Sequence, residues 1–463
     1  MELKYRGVRV FVLMCLAIAT TSSVAQSTAA VGYWEGVLRF RGAEMPVRIH
    51  IQTKDDSLVA TLDIPSMVMA WEPIPATLTD EGTQLELPFG FGALALELKG
   101  DEANGARALG ENLLELHLEH ATAPPFTKQE IQFKSDSTDL AGTLVLPQGK
   151  GPHPAVVLLH GSGKQGKQTW EYRSWADLLV RQGLAVLYYD KRGVGASGGE
   201  YGVGLRKLAD DGVAAVQYLR SRPEVDARRI GLKGSSQGAW LAEQVAADLG
   251  DIAFLLLGSA AAGTPKDQEV QKTEYGMRDD GRPETEIEDA LAYVGLYFYV
   301  ARTGEGWPLL EKAVRRAQTE EWGQYVDQPR SVADLAWWHE NHAFQPAEAV
   351  KELDLPVLLL YGEADWITPP IENAGKLRSL FKSPERVELH IFPGADHRLE
   401  LDLGKDANGV WQFMRIAPGM HEIVAEWLET QVLNRLESKG LWPLDPRTQP
   451  DALSLSPGRT HRE

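Results

Sequence analysis

The sequence of 463 residues predicts an α/β protein whose mostly parallel sheet carries helices on both faces, with a separate all-β segment before it. Two observations predict this fold class. From about residue 126 onward, short apolar runs of strand length alternate with amphipathic stretches of helix length, which is the pattern of a parallel sheet with crossover helices. The first hundred residues instead alternate short β-like runs with turns and contain no helical period.

Residues 26–125 are predicted to form a small all-β accessory domain. The stretch 100–105, with a glycine at each end, is typical of a hairpin turn, and Ala123-Pro124-Pro125 stiffens the exit from the segment. The predicted strands are 34–40, 45–52, 58–64, 85–89, 93–98 and 113–118.

Residues 126–262 and 350–438 are predicted to form the two parts of the α/β domain, with an insertion over 263–349 between them. Charged and aromatic helical sequence fills that insertion. The predicted strands are 130–133, 140–146, 155–159, 185–189, 230–233, 252–257, 357–361 and 387–392, and the predicted helices are 170–182, 205–220, 239–249, 371–380 and 420–436. In the last helix Met420, Ile423, Val424, Trp427 and Leu428 fall on one apolar stripe, as expected of a helix packed on a sheet.

The pentapeptide Gly234-Ser235-Ser236-Gln237-Gly238 lies between a predicted strand and a predicted helix. Glycines on either side of a serine permit a sharp strand-to-helix turn that exposes the hydroxyl at the sheet edge. The context therefore predicts that Ser236 is a nucleophile. Ser235 is one residue off the centre of the glycine frame, so its side chain is expected to point elsewhere.

A serine hydroxyl needs a base beside it and an anion that orients the base. Asp365 follows the predicted strand 357–361, and His397 follows the predicted strand 387–392 in a Pro-Gly loop. We expect Asp365 to be the orienting acid, in preference to Glu363 and Asp396, and His397 to be the base.

A tetrahedral oxyanion requires two convergent backbone N–H donors. The strand 155–159 runs into His160-Gly161-Ser162-Gly163, and Gln237 begins the helix after the serine. The amides of Ser162 and Gln237 are the predicted donors, since a helix N-terminus favours negative charge. His160 is expected to brace this loop.

These motifs, together with Asp190-Lys-Arg-Gly-Val-Gly-Ala-Ser197, resemble the α/β-hydrolase superfamily over roughly residues 126–260 and 350–437. Within it, the set is similar to secreted bacterial serine hydrolases near the serine-aminopeptidase and prolyl-oligopeptidase-like esterases. The resemblance implies cleavage of carboxylic esters through an acyl-enzyme, a lid formed by the insertion 263–349, and no metal or organic cofactor.

Two motifs suggest other chemistry and are interpreted as structural. Gly193–Gly198 matches G-x-G-x-x-G, but the next residues continue a loop where a dinucleotide site requires a helix, so we expect a turn anchored by Asp190 or Arg192. His339 and His342 are three residues apart and lack the i, i+4 spacing of a zinc helix, so no metal site is predicted there.

The ends of the chain and its charge restrict where it acts and what it binds. Residues 1–25 combine Lys4, Arg6 and Arg9 with a short apolar run containing Cys15, which predicts a signal peptide and export to the periplasm or medium. No later stretch reaches the ~20 apolar residues of a membrane span. A formal net charge of -18 disfavours nucleic-acid partners, and residues 439–463 are expected to form a loosely docked tail.

The substrate remains open between a small-molecule ester and a short peptide. An aminopeptidase or dipeptidyl peptidase needs an acidic anchor for the substrate amine, and the insertion contains candidates. Those candidates are Glu284, Glu286, Glu288 and Asp289. A further alternative is a non-catalytic binding protein on a hydrolase scaffold, which the complete set of catalytic residue types disfavours.

Overall fold

The computed structural model of the protein describes residues 30–55, 57–79, 82–402, 404 and 415–433. The predicted signal peptide with Cys15 and the predicted tail 439–463 lie outside the described residues. Within the described ranges, no helix combines the length and the hydropathy that crossing a bilayer requires.

The amino-terminal strands close into an eight-stranded antiparallel barrel in which β1 pairs with both β2 and β8. Its interior is filled by large apolar side chains such as Trp34, Leu62, Leu85 and Leu118, as expected of a small closed barrel. The strands are β1 (Gly32–Phe40), β2 (Ala43–Lys54), β3 (Ser57–Ile64), β4 (Met69–Thr79), β5 (Gly82–Leu87), β6 (Gly92–Lys99), β7 (Glu102–Leu109) and β8 (Asn112–Ala121).

Two barrel strands, β4 and β7, were absent from the prediction, and the turn predicted over 100–105 is wrong beyond its first residues. Pro73 and Pro75 weaken the strand signal of β4, but they pair only with β3, whereas β5 pairs with residues after them. In β7 the turn-like Asn104-Gly105 is held in the ladder opposite β8. Pairing with a neighbouring strand on each side stabilises both segments, and local propensity does not report it.

The second domain contains an eight-stranded sheet in the order β16-β15-β14-β13-β11-β12-β10-β9. Strands β11 to β16 run parallel, and β9 and β10 form an antiparallel edge. The strands are β9 (Phe126–Ser135), β10 (Thr138–Pro147), β11 (His153–Leu159), β12 (Ala185–Tyr189), β13 (Val225–Ser235), β14 (Leu255–Gly258), β15 (Val357–Gly362) and β16 (Val387–Phe392), and a small ribbon of β17 (Glu400–Leu401) and β18 (Arg415–Ile416) follows.

Helices cover both faces of this sheet, as predicted. On one face lie α1 (Trp170–Arg181) and α10 (Met420–Leu428); on the other lie α2 (Leu205–Arg220), α3 (Gln237–Leu249) and α9 (Pro370–Leu380). Met420, Val424 and Trp427 of α10 are buried on the sheet, which confirms the predicted stripe. The strand predicted from residue 252 begins only at Leu255, because residues 252–254 form the connection from α3.

A helical insertion separates β14 from β15 and has an apolar cluster of its own. Ile287, Phe298, Leu310 and Trp322 are buried in that cluster. The insertion contains α4 (Pro265–Asp279), α5 (Glu284–Thr303), α6 (Trp307–Ala317), α7 (Ala336–Asn341) and α8 (Pro346–Ala349).

Candidate active site

Ser236 occupies the turn between β13 and α3 and has φ 55° and ψ -126°, a strained conformation for a residue other than glycine. Its backbone N–H donates to the Gly258 carbonyl of the neighbouring strand at 2.9 Å. This hydrogen bond fixes the turn to the sheet and places Ser236 at the carboxyl edge of the parallel strands.

The two glycines that flank Ser236 are required by close backbone contacts. A Cβ atom at Gly234 would lie 2.0 Å from the Gly238 carbonyl oxygen, and one at Gly238 would lie 2.5 Å from the Leu159 carbonyl oxygen. Real Cβ atoms do not approach backbone this closely, so the glycine frame of the motif has a steric cause.

Asp365 and His397 come from the loops after β15 and β16 and form a hydrogen-bonded pair. The Nδ1 atom of His397 lies 2.9 Å from each carboxylate oxygen of Asp365, whose side chain is fully buried. The backbone N–H groups of Ile367 and Thr368 each donate to Asp365 Oδ1 at 2.9 Å. Because Nδ1 is engaged, Nε2 is the ring nitrogen left to accept a proton.

Thr368 is a functional neighbour that sequence reasoning missed. Its hydroxyl lies 2.9 Å from Asp365 Oδ2 and 3.0 Å from His397 Nδ1, and 3.2 Å from the Ser259 carbonyl. Ser259 Oγ in turn donates to the His397 carbonyl at 2.9 Å. The local sequence indicates this contact only through the spacing, since Thr368 lies three residues after Asp365 in the loop that follows a strand.

Ser236 and His397 line one cavity of about 930 Å³, which we call the elbow cavity. Within the described residues no hydrogen bond joins the Ser236 hydroxyl to the imidazole. Serine–histidine contacts are often long in the absence of substrate and tighten when it binds. The structure therefore brings the three side chains to one edge of the sheet, with the acid–base half already hydrogen-bonded.

The loop that carries Ser162 is held from two sides. Gly161 donates its N–H to the Tyr172 hydroxyl at 2.9 Å, and its carbonyl accepts from Lys191 Nζ at 2.9 Å. Because the C=O and N–H of one peptide point in opposite directions, this carbonyl bond turns the Ser162 N–H away from Lys191. Lys191 Nζ also donates to Gln237 Oε1 at 2.8 Å, so one ammonium group contacts the Ser162 loop and the Gln237 side chain.

His160 is a buried neutral imidazole that supports the same loop. Burial lowers the pKa of His160 to about 3, and its Nε2 lies 2.6 Å from the Tyr189 carbonyl. The ring also makes edge contacts with Tyr172 and Tyr189. These contacts agree with the bracing role expected from the sequence.

A buried ion pair lies beneath the turn and was not predicted. Lys233, with a side chain 1% exposed, places Nζ 3.0 Å from Glu171 Oε1 and 2.8 Å from Ser235 Oγ. The same ammonium lies 4.4 Å from the centroid of the Trp175 ring. Burial opposes the charge on Lys233 and lowers its pKa, with Glu171 offsetting part of the effect. The Ser235 hydroxyl is thus tied to Lys233.

The glycine-rich loop after β12 is a structural turn. Asp190 accepts from the backbone N–H groups of Lys167 at 2.7 Å and Ala196 at 2.9 Å, while Arg192 pairs with buried Asp211. Gly193 and Gly195 have φ of 70° and 57°. Both proposed anchors, Asp190 and Arg192, therefore hold this loop beside the elbow.

The acidic residues singled out in the insertion are engaged elsewhere. Glu284 pairs with Arg278, Glu286 with Arg282 and Asp289 with Arg316. None of these acids, nor Glu288, is among the residues that line the elbow cavity.

A different acid of the insertion, Glu269 of α4, does line the elbow cavity. It is paired with Lys272, and burial raises the pKa of its carboxyl.

His339 and His342 contact backbone carbonyls: Nδ1 of His339 lies 2.9 Å from the Ala301 carbonyl, and Nδ1 of His342 lies 2.6 Å from the His339 carbonyl. In the described ranges no group of three or more histidine, cysteine or acidic side chains is arranged to bind a metal.

Comparison with known proteins places this site in a family context. Esterase EstD of Thermotoga maritima is 25% identical over 273 residues, which is 58% of this chain and 59% of the esterase. The mitochondrial acyl-coenzyme A thioesterase 2 of Mus musculus is 32% identical over 174 residues, which is 36% of this chain and 34% of that enzyme. The chain thus spans less than two thirds of the length of either protein.

A solved structure of a Pyrococcus furiosus esterase is similar over 66% of this chain and 92% of its own, with 19% identity and a TM-score of 0.43. The sequence profile of the X-Pro dipeptidyl-peptidase (S15) family matches residues 136–395, more than half of the chain and the whole span from β10 to the loop before His397. The chain therefore belongs to the X-Pro dipeptidyl-peptidase (S15) family, and it is a serine hydrolase of the α/β-hydrolase fold.

Proposed function

We propose that the protein cleaves carboxylic esters through an acyl-enzyme, with Ser236 as nucleophile, His397 as base and Asp365 as orienting acid. The observation that carries the proposal is the hydrogen-bonded His397–Asp365 pair on the same cavity wall as the strained Ser236 turn. A nucleophile, its base and the acid that orients the base are the minimum set for acyl transfer by serine.

Each step uses a group at the elbow cavity. His397 Nε2 removes the proton from Ser236 Oγ as that oxygen attacks the ester carbonyl, and Asp365 stabilises the imidazolium that forms. The backbone N–H groups of Ser162 and Gln237 donate to the oxyanion. The tetrahedral intermediate expels the alcohol, which takes the proton from His397, and water then releases the acid by the same route in reverse.

We assign the helical insertion the role of a lid. Gln268 and Glu269 of α4 and Trp337 and Trp338 of α7 line the elbow cavity together with Ser236. Side chains in that position contact the substrate and exclude water from the reacting carbonyl. We further propose that the chain is exported, because residues 1–25 have the charge and apolar pattern of a signal peptide.

A second candidate function is an aminopeptidase or dipeptidyl peptidase. Glu269 supports it, because a carboxylate on the cavity wall could pair with a substrate ammonium group in place of Lys272. The ester reaction is preferred because Glu269 is already paired with Lys272. A substrate ammonium group would have to displace Lys272, whereas an apolar ester would not.

Covalent labelling and a pair of substrate classes test the proposal. The wild-type protein should react with a fluorophosphonate probe and should hydrolyse p-nitrophenyl butyrate at least ~100-fold faster than alanyl or glycyl-prolyl p-nitroanilide. The opposite preference would replace the esterase by the peptidase. A folded protein that does not label would support the non-catalytic binding protein instead.

Lys191 provides a prediction about the oxyanion donors. Changing Lys191→Met should lower kcat about 10²-fold with a smaller change in KM. The change removes the hydrogen bonds of Nζ to the Gly161 carbonyl and to Gln237 Oε1, which hold the Ser162 loop against Gln237. Steady-state kinetics on p-nitrophenyl butyrate measures both constants.

The pH dependence of kcat tests whether the positive charge of Lys191 is needed. Burial lowers the pKa of Lys191 to about 8, so its ammonium charge is present below that pH and lost above it. The wild-type kcat should therefore fall on an alkaline limb near pH 8, and Lys191→Arg should lack that limb because guanidinium does not titrate. His160 stays neutral throughout this range. An alkaline limb unchanged in Lys191→Arg would contradict the assignment.

A further inference from the structure

A second cavity, of about 780 Å³, lies between the barrel and the α/β domain, and we call it the junction cavity. Barrel residues such as Phe40, Val68 and Phe89 form one wall, and Trp170 and Trp175 of α1 form another. This volume falls within the ~300–1,000 Å³ range of small-molecule sites, which often form at domain boundaries.

Buried polar contacts hold the two walls of the junction cavity together. Arg48 of the barrel pairs with Asp177 of α1 at 2.9 Å. Arg173 of α1 donates to the Trp71 carbonyl at 3.1 Å and also pairs with Glu72. Because these contacts join strands β2 and β4 directly to α1, the cavity has a preformed shape.

Aromatic side chains form a continuous row across the boundary. The Phe40 and Phe91 rings are 5.1 Å apart, Phe91 and Phe89 are 6.2 Å apart, and Phe89 and Trp170 are 5.8 Å apart. Phe89 and Trp170 are 44% and 39% exposed although both are large and apolar. Apolar surface of this kind, gathered inside a cavity, is typical of a ligand site.

The junction cavity adjoins the elbow cavity. Gln165, Glu171, Trp175 and Arg398 line both of them. Gln165 follows the Ser162 loop and donates to the Ser162 carbonyl at 3.0 Å, and Arg398 is the residue after His397. These four side chains therefore lie between the cavity that contains Ser236 and the cavity beside the barrel.

Two acidic side chains that line the junction cavity, Glu171 and Glu400, carry little net negative charge. Glu171 is neutralised by Lys233 at 3.0 Å. Burial, with a smaller contribution from Asp396, raises the pKa of Glu400 to about 7, which keeps that carboxyl partly protonated at neutral pH. At these two positions an uncharged apolar group therefore meets no strong negative charge.

We propose that the junction cavity binds a long apolar arm of the ester substrate, so that the barrel acts as part of the substrate site. The inference rests on the proposed esterase function for its substrate class, and on the shared lining residues and the aromatic row for its location.

A chain-length series tests the proposal. Wild-type kcat/KM should be at least ~10-fold higher for p-nitrophenyl octanoate than for the acetate, because each methylene that enters the cavity leaves water. Val68→Trp should lower this octanoate-to-acetate ratio at least ~10-fold by filling the cavity.

Leu113→Trp is the matched control, since Leu113 is a barrel residue 51% exposed and lines neither cavity. It should leave the octanoate-to-acetate ratio unchanged. An active wild-type esterase whose ratio is the same in Val68→Trp would overturn the inference and leave the proposed function standing.

A binding measurement decides the question even if no ester is hydrolysed. Calorimetry with decanoate and the Ser236→Ala protein should give a dissociation constant that Val68→Trp weakens at least ~10-fold and Leu113→Trp does not. Equal decanoate affinity in all three proteins, or no binding to any of them, would also overturn the inference.

Discussion

Replacing Ser236 by alanine is expected to abolish fluorophosphonate labelling and to lower kcat for p-nitrophenyl butyrate by about 10⁶-fold, the loss typical of removing a serine nucleophile. Without Oγ no acyl-enzyme can form, and the remaining oxyanion donors stabilise only direct attack by water. The fold should survive, because alanine keeps the backbone hydrogen bond from residue 236 to Gly258. Fluorophosphonate labelling checks the nucleophile, a burst of p-nitrophenol in the wild type checks the acyl-enzyme, and thermal melting of both proteins checks the fold.

Ser235→Ala is the matched control for that change. Its hydroxyl is bonded to Lys233 at 2.8 Å, within the ion pair with Glu171. Removing it leaves Ser236 and the His397–Asp365 pair in place, so labelling should persist and kcat should fall by no more than ~10-fold. Labelling lost in Ser235→Ala and kept in Ser236→Ala would reverse the two roles and assign the chemistry to a serine–lysine pair.

Asp365→Asn is expected to lower kcat about 10⁴-fold with little change in KM. The backbone N–H groups of Ile367 and Thr368 both donate to Oδ1, so the asparagine oxygen will occupy that position and its NH₂ will face His397. His397 Nδ1 must then accept a hydrogen bond, which puts the proton on Nε2, where it blocks removal of the Ser236 proton. Rates measured beside an unchanged melting temperature separate this effect from unfolding.

Glu363→Gln controls for the loss of an acidic side chain in the same loop. Glu363 accepts from the Gly394 N–H at 3.0 Å and makes no contact with the imidazole in the described part of the chain. Its change should alter kcat by less than ~3-fold. Comparable losses from Glu363→Gln and Asp365→Asn would remove the special role assigned to Asp365.

Much of the site was predictable because the carboxyl ends of parallel strands share one edge of a sheet. Ser236, Asp365 and His397 each follow an apolar run, so strand order alone was enough to bring their loops together. The elbow glycines were predictable for a similarly local reason, since Gly234 and Gly238 meet backbone within the turn and its neighbouring strand.

Other parts had no local signal. Thr368 contacts Asp365 and His397 through a hydroxyl whose partners are set by loop geometry. No local sequence feature distinguishes Lys191 from other lysines. Its Nζ contacts Gly161 and Gln237 only because the folded sheet brings their loops together. The insertion acids were predicted as a possible amine anchor, yet the helices direct them to arginines and place Glu269 at the cavity.

Local sequence patterns predict the alternation of strands and helices, the all-β character of the first domain and the turn at Ser236, because each depends on residues close together in the chain. Three features came from packing between distant segments: β4 and β7 complete the barrel, Lys233 and Glu171 pair beneath the turn, and a second cavity adjoins the first. These features arise where distant segments pack, and packing energy depends on partners that no local pattern identifies.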